Sequence, residues 1–344
     1  MTIPRAPPIL DFSAFYGPNS DAKERLIQDV RAACLNNGFF QITGHRVPLE
    51  VQQRALSSSR QFFSMPTAEK SKLDKKNSKL GRGYEAVQCH QMEQGTLPDL
   101  KEDFMVGVEI PEDHPYQQQG KPGYGPNVWP VSTGLESPEQ FRKSTMVYFE
   151  HVLALARDIV TVLALSLGLD EGYLDPLKSD IPIAVMKYLY YPQLPVGADL
   201  SVTRGFGAHT DFCPFAIVLQ GEVSGLEVLE ESTGEWVMIE PVPGAFVVNL
   251  GASFTQLTNG LYKSSVHRVI NNRDSDRLSI PFFFIGNPNY VLRPLPKCPV
   301  LEKEESRAPL TVQEFVAAKV KGTYAQAEKT KDQQRLRHGE ATKA

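Results

Sequence analysis

Phe206-Gly207-Ala208-His209-Thr210-Asp211-Phe212-Cys213-Pro214-Phe215-Ala216-Ile217-Val218-Leu219-Gln220 reads as two short strand-like runs, Phe206–Asp211 and Phe215–Gln220, parted by a proline-bearing break. Similar runs stand on either side: Ala184–Tyr191 before it, then Leu226–Glu230, Trp236–Glu240, Phe246–Leu250, Val266–Asn271 and Leu278–Ile285. Turn signals separate them, among them Ser232-Thr233-Gly234, Pro243-Gly244 and Asn259-Gly260. Strands this short and this closely spaced predict a jelly roll or barrel rather than a parallel sheet.

Outward from that core the pattern turns helical. Asp21 to Leu35 carries an apolar stripe of Leu26, Ile27, Val30, Ala33 and Cys34. A strand follows over Gly38–His45, and a second helix from Leu49 to Phe63. Residues 74–135 are rich in Gly, Pro, Gln and Lys, with one strand expected near Phe104–Val108. So long an irregular stretch is more often a functional lid than filler; residues 80–130 and the C-terminal helix are the lid candidates. A long helix then starts with Ser137 as N-cap, Pro138 in the first turn and Gln140 completing a capping box; Gly168 stops it. A last helix is expected from Val312 to Tyr324, with a charged tail after it. The predicted class is α+β with a mainly β core: a double-stranded β-helix (jelly roll) with flanking N-terminal helices, one long central helix and a C-terminal helix. The regions are 1–135 (N-terminal, with the lid), 136–180 (support helix), 181–300 (jelly-roll catalytic core) and 301–344 (C-terminal helix and tail), forming one compact unit.

The composition is that of an ordinary globular chain: 344 residues, 41% hydrophobic and 22% charged. A formal net charge of −4 argues against a nucleic-acid partner, which normally meets a basic face. No stretch is apolar for long enough to span a membrane, the first residues lack a secretory h-region and the last four are not a peroxisomal address. The four cysteines form no Cys-x-x-Cys pair, which suits a reducing compartment, and a cytoplasmic protein is expected. Cys213 lies close to the motif described next, but reads most simply as a small buried apolar residue. A small-molecule substrate is the expected partner, with no obligate protein partner evident.

His209 and Asp211 are two apart, so on one strand both side chains share a face. His267 falls at the head of a later strand. Two imidazoles and one carboxylate can cap one face of an iron(II) ion and leave the opposite face open. The plainer reading makes the histidines hydrogen-bonded core residues and Asp211 a turn residue. Arg277 and Ser279 also share a face, and a buried guanidinium fork suits a carboxylate. The alternative there is an ion pair with an internal Asp or Glu. Arg204 and Phe212 flank the motif and are candidate substrate contacts.

These segments resemble the isopenicillin N synthase-like family of iron(II)/2-oxoglutarate-dependent dioxygenases along nearly the whole chain. The resemblance is carried by Asn37-Gly38-Phe39-Phe40, Phe62-Phe63-Ser64-Met65-Pro66, Asp99-Leu100-Lys101-Glu102, Tyr190-Tyr191-Pro192, His209-Thr210-Asp211, Asn249-Leu250-Gly251, His267-Arg268-Val269 and Arg277-Leu278-Ser279. It implies that His209, Asp211 and His267 ligate iron(II). It also implies that Arg277 and Ser279, with Tyr191 as a third contact, bind the distal carboxylate of 2-oxoglutarate. O2 would be consumed while that co-substrate becomes succinate and carbon dioxide. The implied activity is oxidation of a small organic metabolite by hydroxylation, desaturation or oxidative ring rearrangement, in natural-product biosynthesis. Two positions depart from the pattern: Leu189 stands where many plant members have Asn, and Ala252 where Asp is usual. Three alternatives compete with this reading. They are a same-fold iron oxidase that does without 2-oxoglutarate, a non-enzymatic double-sheet binding protein and a zinc hydrolase. The first and third leave the Arg-x-Ser unexplained, and the second has no need of the complete triad.

Overall fold

The computed structural model describes residues 6–131, 135, 137–299, 309–319 and 321. Two antiparallel layers face each other. The larger sheet runs β1 (Ile9–Asp11), β2 (Phe39–Thr43), β10 (Phe246–Leu250), β7 (Phe215–Gln220), β12 (Arg277–Gly286), β5 (Ile183–Tyr191), β4 (Glu102–Gly107) and β3 (Gly83–Glu85); only β1 and β2 pair in parallel. The smaller runs β6 (Phe206–His209), β11 (His267–Val269), β8 (Leu226–Glu230) and β9 (Glu235–Met238). This is the jelly roll expected from the strand spacing, and the eight core strands lie within a few residues of the predicted runs.

Alternation along each strand splits the side chains between two cores. On β12, Leu278, Ile280, Phe282 and Phe284 face outward and join a large apolar cluster with the helices. Arg277, Ser279, Pro281 and Phe283 face the interior between the sheets. The helix Pro138–Ser166 backs the outer face through Phe141, Phe149, Val152 and Val160. Ser137 accepts the Gln140 N–H at 3.2 Å, so the predicted N-cap forms. The capping box stays half made, because the Gln140 amide reaches forward to Ser144 at 3.0 Å instead of back. The two expected N-terminal helices form as Ser20–Asn36 and Leu49–Phe63, and both pack on this long helix.

The stretch expected as a lid is partly sheet: β3 and β4 extend the larger layer past the smaller one. Only the loop between them turns over the interior, through His90, Gln91 and Met92. At the C-terminus, residues 312–319 are helical; the continuation to residue 324 and the tail fall almost wholly outside the described residues. Among the described residues no helix is long and apolar enough to cross a membrane.

Candidate metal centre and its two cavities

Cross-strand register assembles the centre. His267 of β11 sits directly opposite His209 of β6, which brings two imidazoles from distant segments to a ring separation of 4.3 Å. Asp211 completes the group, and one ligand atom from each residue lies within 4.8 Å of the others. Asp211 Oδ1 is 3.8 Å from His209 Nε2, and its Oδ2 is 3.9 Å from His267 Nε2. Among the described residues this is the only such cluster of His, Cys, Asp and Glu.

The same-strand argument holds for His209 but not for Asp211. β6 ends at His209, and Asp211 lies beyond it in the turn to β7. Other contacts place its carboxylate. The Ala252 N–H donates to the Asp211 carbonyl at 2.8 Å, and the Asn249 amide donates to Asp211 Oδ2 at 2.7 Å. Gly251 permits this approach, since a Cβ there would stand 2.1 Å from the Cys213 carbonyl oxygen. Ala252 acts through its backbone, which explains why its side chain can depart from the family pattern at no cost to this contact.

Both imidazoles have their tautomers set from behind. His209 Nδ1 lies 2.8 Å from the Gly207 carbonyl and His267 Nδ1 lies 3.2 Å from that of Ser265. With Nδ1–H donating, each Nε2 presents a lone pair to the centre. Burial, and then the His267 imidazole, lower the His209 pKa to about 4, so its ring is neutral and able to ligate. Beneath it, the Gly207 N–H donates to buried Asp99 at 2.9 Å; burial raises that carboxyl to about 7. Two imidazole nitrogens and a carboxylate are a donor set that fits iron(II).

A deep cavity of about 50 Å³ opens behind the triad and ends at Arg277 and Ser279. Arg277 is 1% exposed, yet its guanidinium meets only neutral groups: the Val223 carbonyl at 3.1 Å, Ser279 Oγ at 3.2 Å and Gln220 Oε1 at 2.9 Å. Among the described residues it makes no ion pair with Asp or Glu. Tyr191 sits opposite Arg277 in the β5–β12 register, its ring 5.1 Å from the guanidinium carbon. A cation buried with no counter-ion is costly unless an anion joins it, and a dicarboxylic acid reaching the metal from this side would supply one.

A wider cavity of about 300 Å³ lies on the other side of the triad. Phe212 is on its wall with His209 and Asp211, and Val316 of the C-terminal helical segment closes part of it. Arg204 lines neither cavity. Glu93 holds its guanidinium at 3.1 Å, and the Leu200, Ser201 and Thr203 carbonyls take the remaining donors. Asn249 and Gln220 carry no role in the sequence reading. The available signal was a polar residue on an otherwise apolar strand, Asn249 in β10 and Gln220 at the end of β7.

Residues 7–132 match the family model described as non-haem dioxygenase in morphine synthesis N-terminal, and residues 182–285 match that of the 2OG-Fe(II) oxygenase superfamily. The 2-oxoglutarate-Fe(II) type oxidoreductase hxnY of Emericella nidulans is 45% identical over 94% of this chain and 92% of its own. Clavatol oxidase claD of Penicillium crustosum is 36% identical over 92% and 96%. Among solved structures, a putative 2OG-Fe(II) oxygenase family protein from Caulobacter crescentus superposes with a TM-score of 0.77 at 26% identity, covering 91% of this chain and 98% of that one. A full-length Neurospora crassa protein crystallised in complex with alpha-KG and thymine shares the fold, with a TM-score of 0.78 at 22% identity over 92% and 97%.

Proposed function

Because this chain belongs to the 2OG-Fe(II) oxygenase superfamily and is an iron(II)- and 2-oxoglutarate-dependent dioxygenase, we propose that it oxidises a small organic metabolite at the junction of its two cavities. In this reading His209, Asp211 and His267 hold the iron. Arg277 and Ser279 receive the distal carboxylate of 2-oxoglutarate in the deep cavity, with Tyr191 beside them. The observation that carries it is the shared wall: His209 and Asp211 border both the arginine-ended cavity and the wider one.

When bound, iron with 2-oxoglutarate and O2 supplies a two-electron oxidation coupled to release of succinate and carbon dioxide. The chain's own work is placement. Asn249 and the Ala252 amide fix Asp211, and the Gly207 and Ser265 carbonyls fix the imidazole tautomers. The loop carrying His90 to Met92 and the segment carrying Val316 limit water in the outer cavity, where the substrate carbon is held. The outcome is hydroxylation, desaturation or oxidative ring rearrangement, according to which substrate bond faces the iron. A role in natural-product tailoring is supported by likeness to the clavatol oxidase of Penicillium crustosum.

Anaerobic loading followed by assay tests the reading directly. Near-stoichiometric iron and succinate release that requires O2 are expected; succinate formed equally without O2 would discard the mechanism. Asn249→Ala should weaken iron affinity about 10- to 100-fold, because the partner orienting Asp211 is lost. Chelator competition measures this, and an unchanged affinity would remove Asn249 from the account.

A further inference from the structure

The outer cavity has an unusual wall. Much of it is apolar, including Val185, Phe212, Phe283 and Ile285, but Lys75, Lys101 and Lys187 also line it. These lysines belong to a buried charge cluster on the inner face of the β3–β4–β5 edge. Lys75 pairs with Glu85, and His90 Nε2 lies 2.6 Å from the same carboxylate. Lys101 Nζ is 2.9 Å from Asp103 Oδ2, and Lys187 Nζ is 3.2 Å from that same oxygen. Two ammonium groups thus share one close carboxylate oxygen. Glu85 engages Lys75 and His90 through Oε1 alone; its Oε2, 4.0 Å from Lys101, and Asp103 Oδ1 are buried without a hydrogen-bond partner, so three lysines face two carboxylates here.

Of the pair on Asp103, Lys187 is the one with room for a further anion. Asp103 is fully buried and Lys101 is 5% exposed at its side chain, whereas the Lys187 side chain, which lines the cavity, is 25% exposed. Lys187 is also the only charged residue in the apolar strand Ile183–Tyr191. Burial pushes its pKa down; the Asp103 and Glu85 carboxylates oppose that push, and the like charges of Lys101 and Lys75 add to it. Such a site gains from an added negative charge. Phe206 links the cluster to the metal centre: its ring centroid is 5.0 Å from Lys101 Nζ and 4.2 Å from that of the His209 ring.

We propose that the substrate of this dioxygenase is an organic acid with a compact apolar body, and that the Lys187 ammonium, backed by Lys101, receives its carboxylate in the outer cavity. This rests on the iron and 2-oxoglutarate assignment above and specifies what shares the site. The cationic contact expected at Arg204 is supplied instead from β5. The lysines hold the acid group, Phe212 and Phe283 flank the body, and the carbon to be oxidised is turned toward His209 and Asp211. A cavity of about 300 Å³ suits a molecule of one or two rings.

The test uses the full-length, metal-loaded chain under anaerobic conditions with saturating 2-oxoglutarate. Binding of benzoate, salicylate, phenylacetate and 1-naphthoate is measured by calorimetry against the corresponding neutral amides. At least one acid should bind about tenfold or more tightly than its amide, a gap of about 1.4 kcal/mol. Lys187→Met should erase that preference and Lys187→Arg should keep it, with metal content and 2-oxoglutarate affinity unaltered in both. Wild-type protein that binds acids no better than amides overturns the proposal, whether or not the variants fold. So does a preference that survives in Lys187→Met. If the wild-type chain retains iron and 2-oxoglutarate but shows no acid preference, the substrate class alone falls. If it binds neither, the underlying assignment falls with it.

Discussion

Asp211→Ala is expected to reduce iron bound after anaerobic loading from near one per chain to background, and to lower succinate formation by about a thousandfold or more. Perturbing groups that only orient a ligand costs about 10- to 100-fold, and losing the ligand should exceed that. Asp211 is the only carboxylate of the triad, so its removal leaves two imidazoles as the only donors to a dication. The Asn249 amide also loses its acceptor, a penalty of about 1–3 kcal/mol for a buried donor. That penalty is small enough for the fold to persist, which far-ultraviolet circular dichroism would show. Metal analysis is the deciding measurement. A folded variant that keeps both iron and oxygen-dependent turnover would exclude Asp211 as a ligand.

Arg277→Met should leave iron content intact and weaken 2-oxoglutarate binding strongly. Truncating one side of a buried, hydrogen-bonded charge pair costs about 2–5 kcal/mol, or about 30- to 5,000-fold in affinity. The variant has a second signature. With no co-substrate bound, Arg277 is a buried cation held only by neutral groups among the described residues, Val223, Ser279, Gln220 and Tyr191. A methionine relieves that desolvation while leaving Gln220 Oε1 without its donor, so the two effects nearly offset and ligand-free stability should change little. Wild-type protein should gain about 2.7 kcal/mol of stability at 2-oxoglutarate about one hundred times its Kd, and the variant should gain almost none at that concentration. Thermal unfolding with and without 2-oxoglutarate distinguishes the outcomes. A large loss of ligand-free stability with the 2-oxoglutarate gain preserved would make Arg277 a structural residue.

Much of this molecule is legible in local chemistry. Strand alternation is a period-two property of neighbouring residues, so the eight core strands and the shared face of Arg277 and Ser279 follow from residue order alone. The same holds for the apolar back of the long helix. The Gln140 side chain is different, because its choice between the helix end and Ser144 depends on competing partners of similar strength.

The chain order by itself determined the fold class, the donor types of the candidate metal centre and the presence of a cation suited to a carboxylate, since each follows from residue identity and short spacing. Tertiary structure alone decided how these meet. Register set His267 opposite His209 and Tyr191 opposite Arg277. The turn beyond β6, held by Asn249 and Ala252, aimed Asp211 at the imidazoles. Glu93 took up Arg204, while Lys187 came to face the outer cavity. The physical reason is that a charge's role depends on what surrounds it after burial, and those neighbours come from strands far apart in sequence.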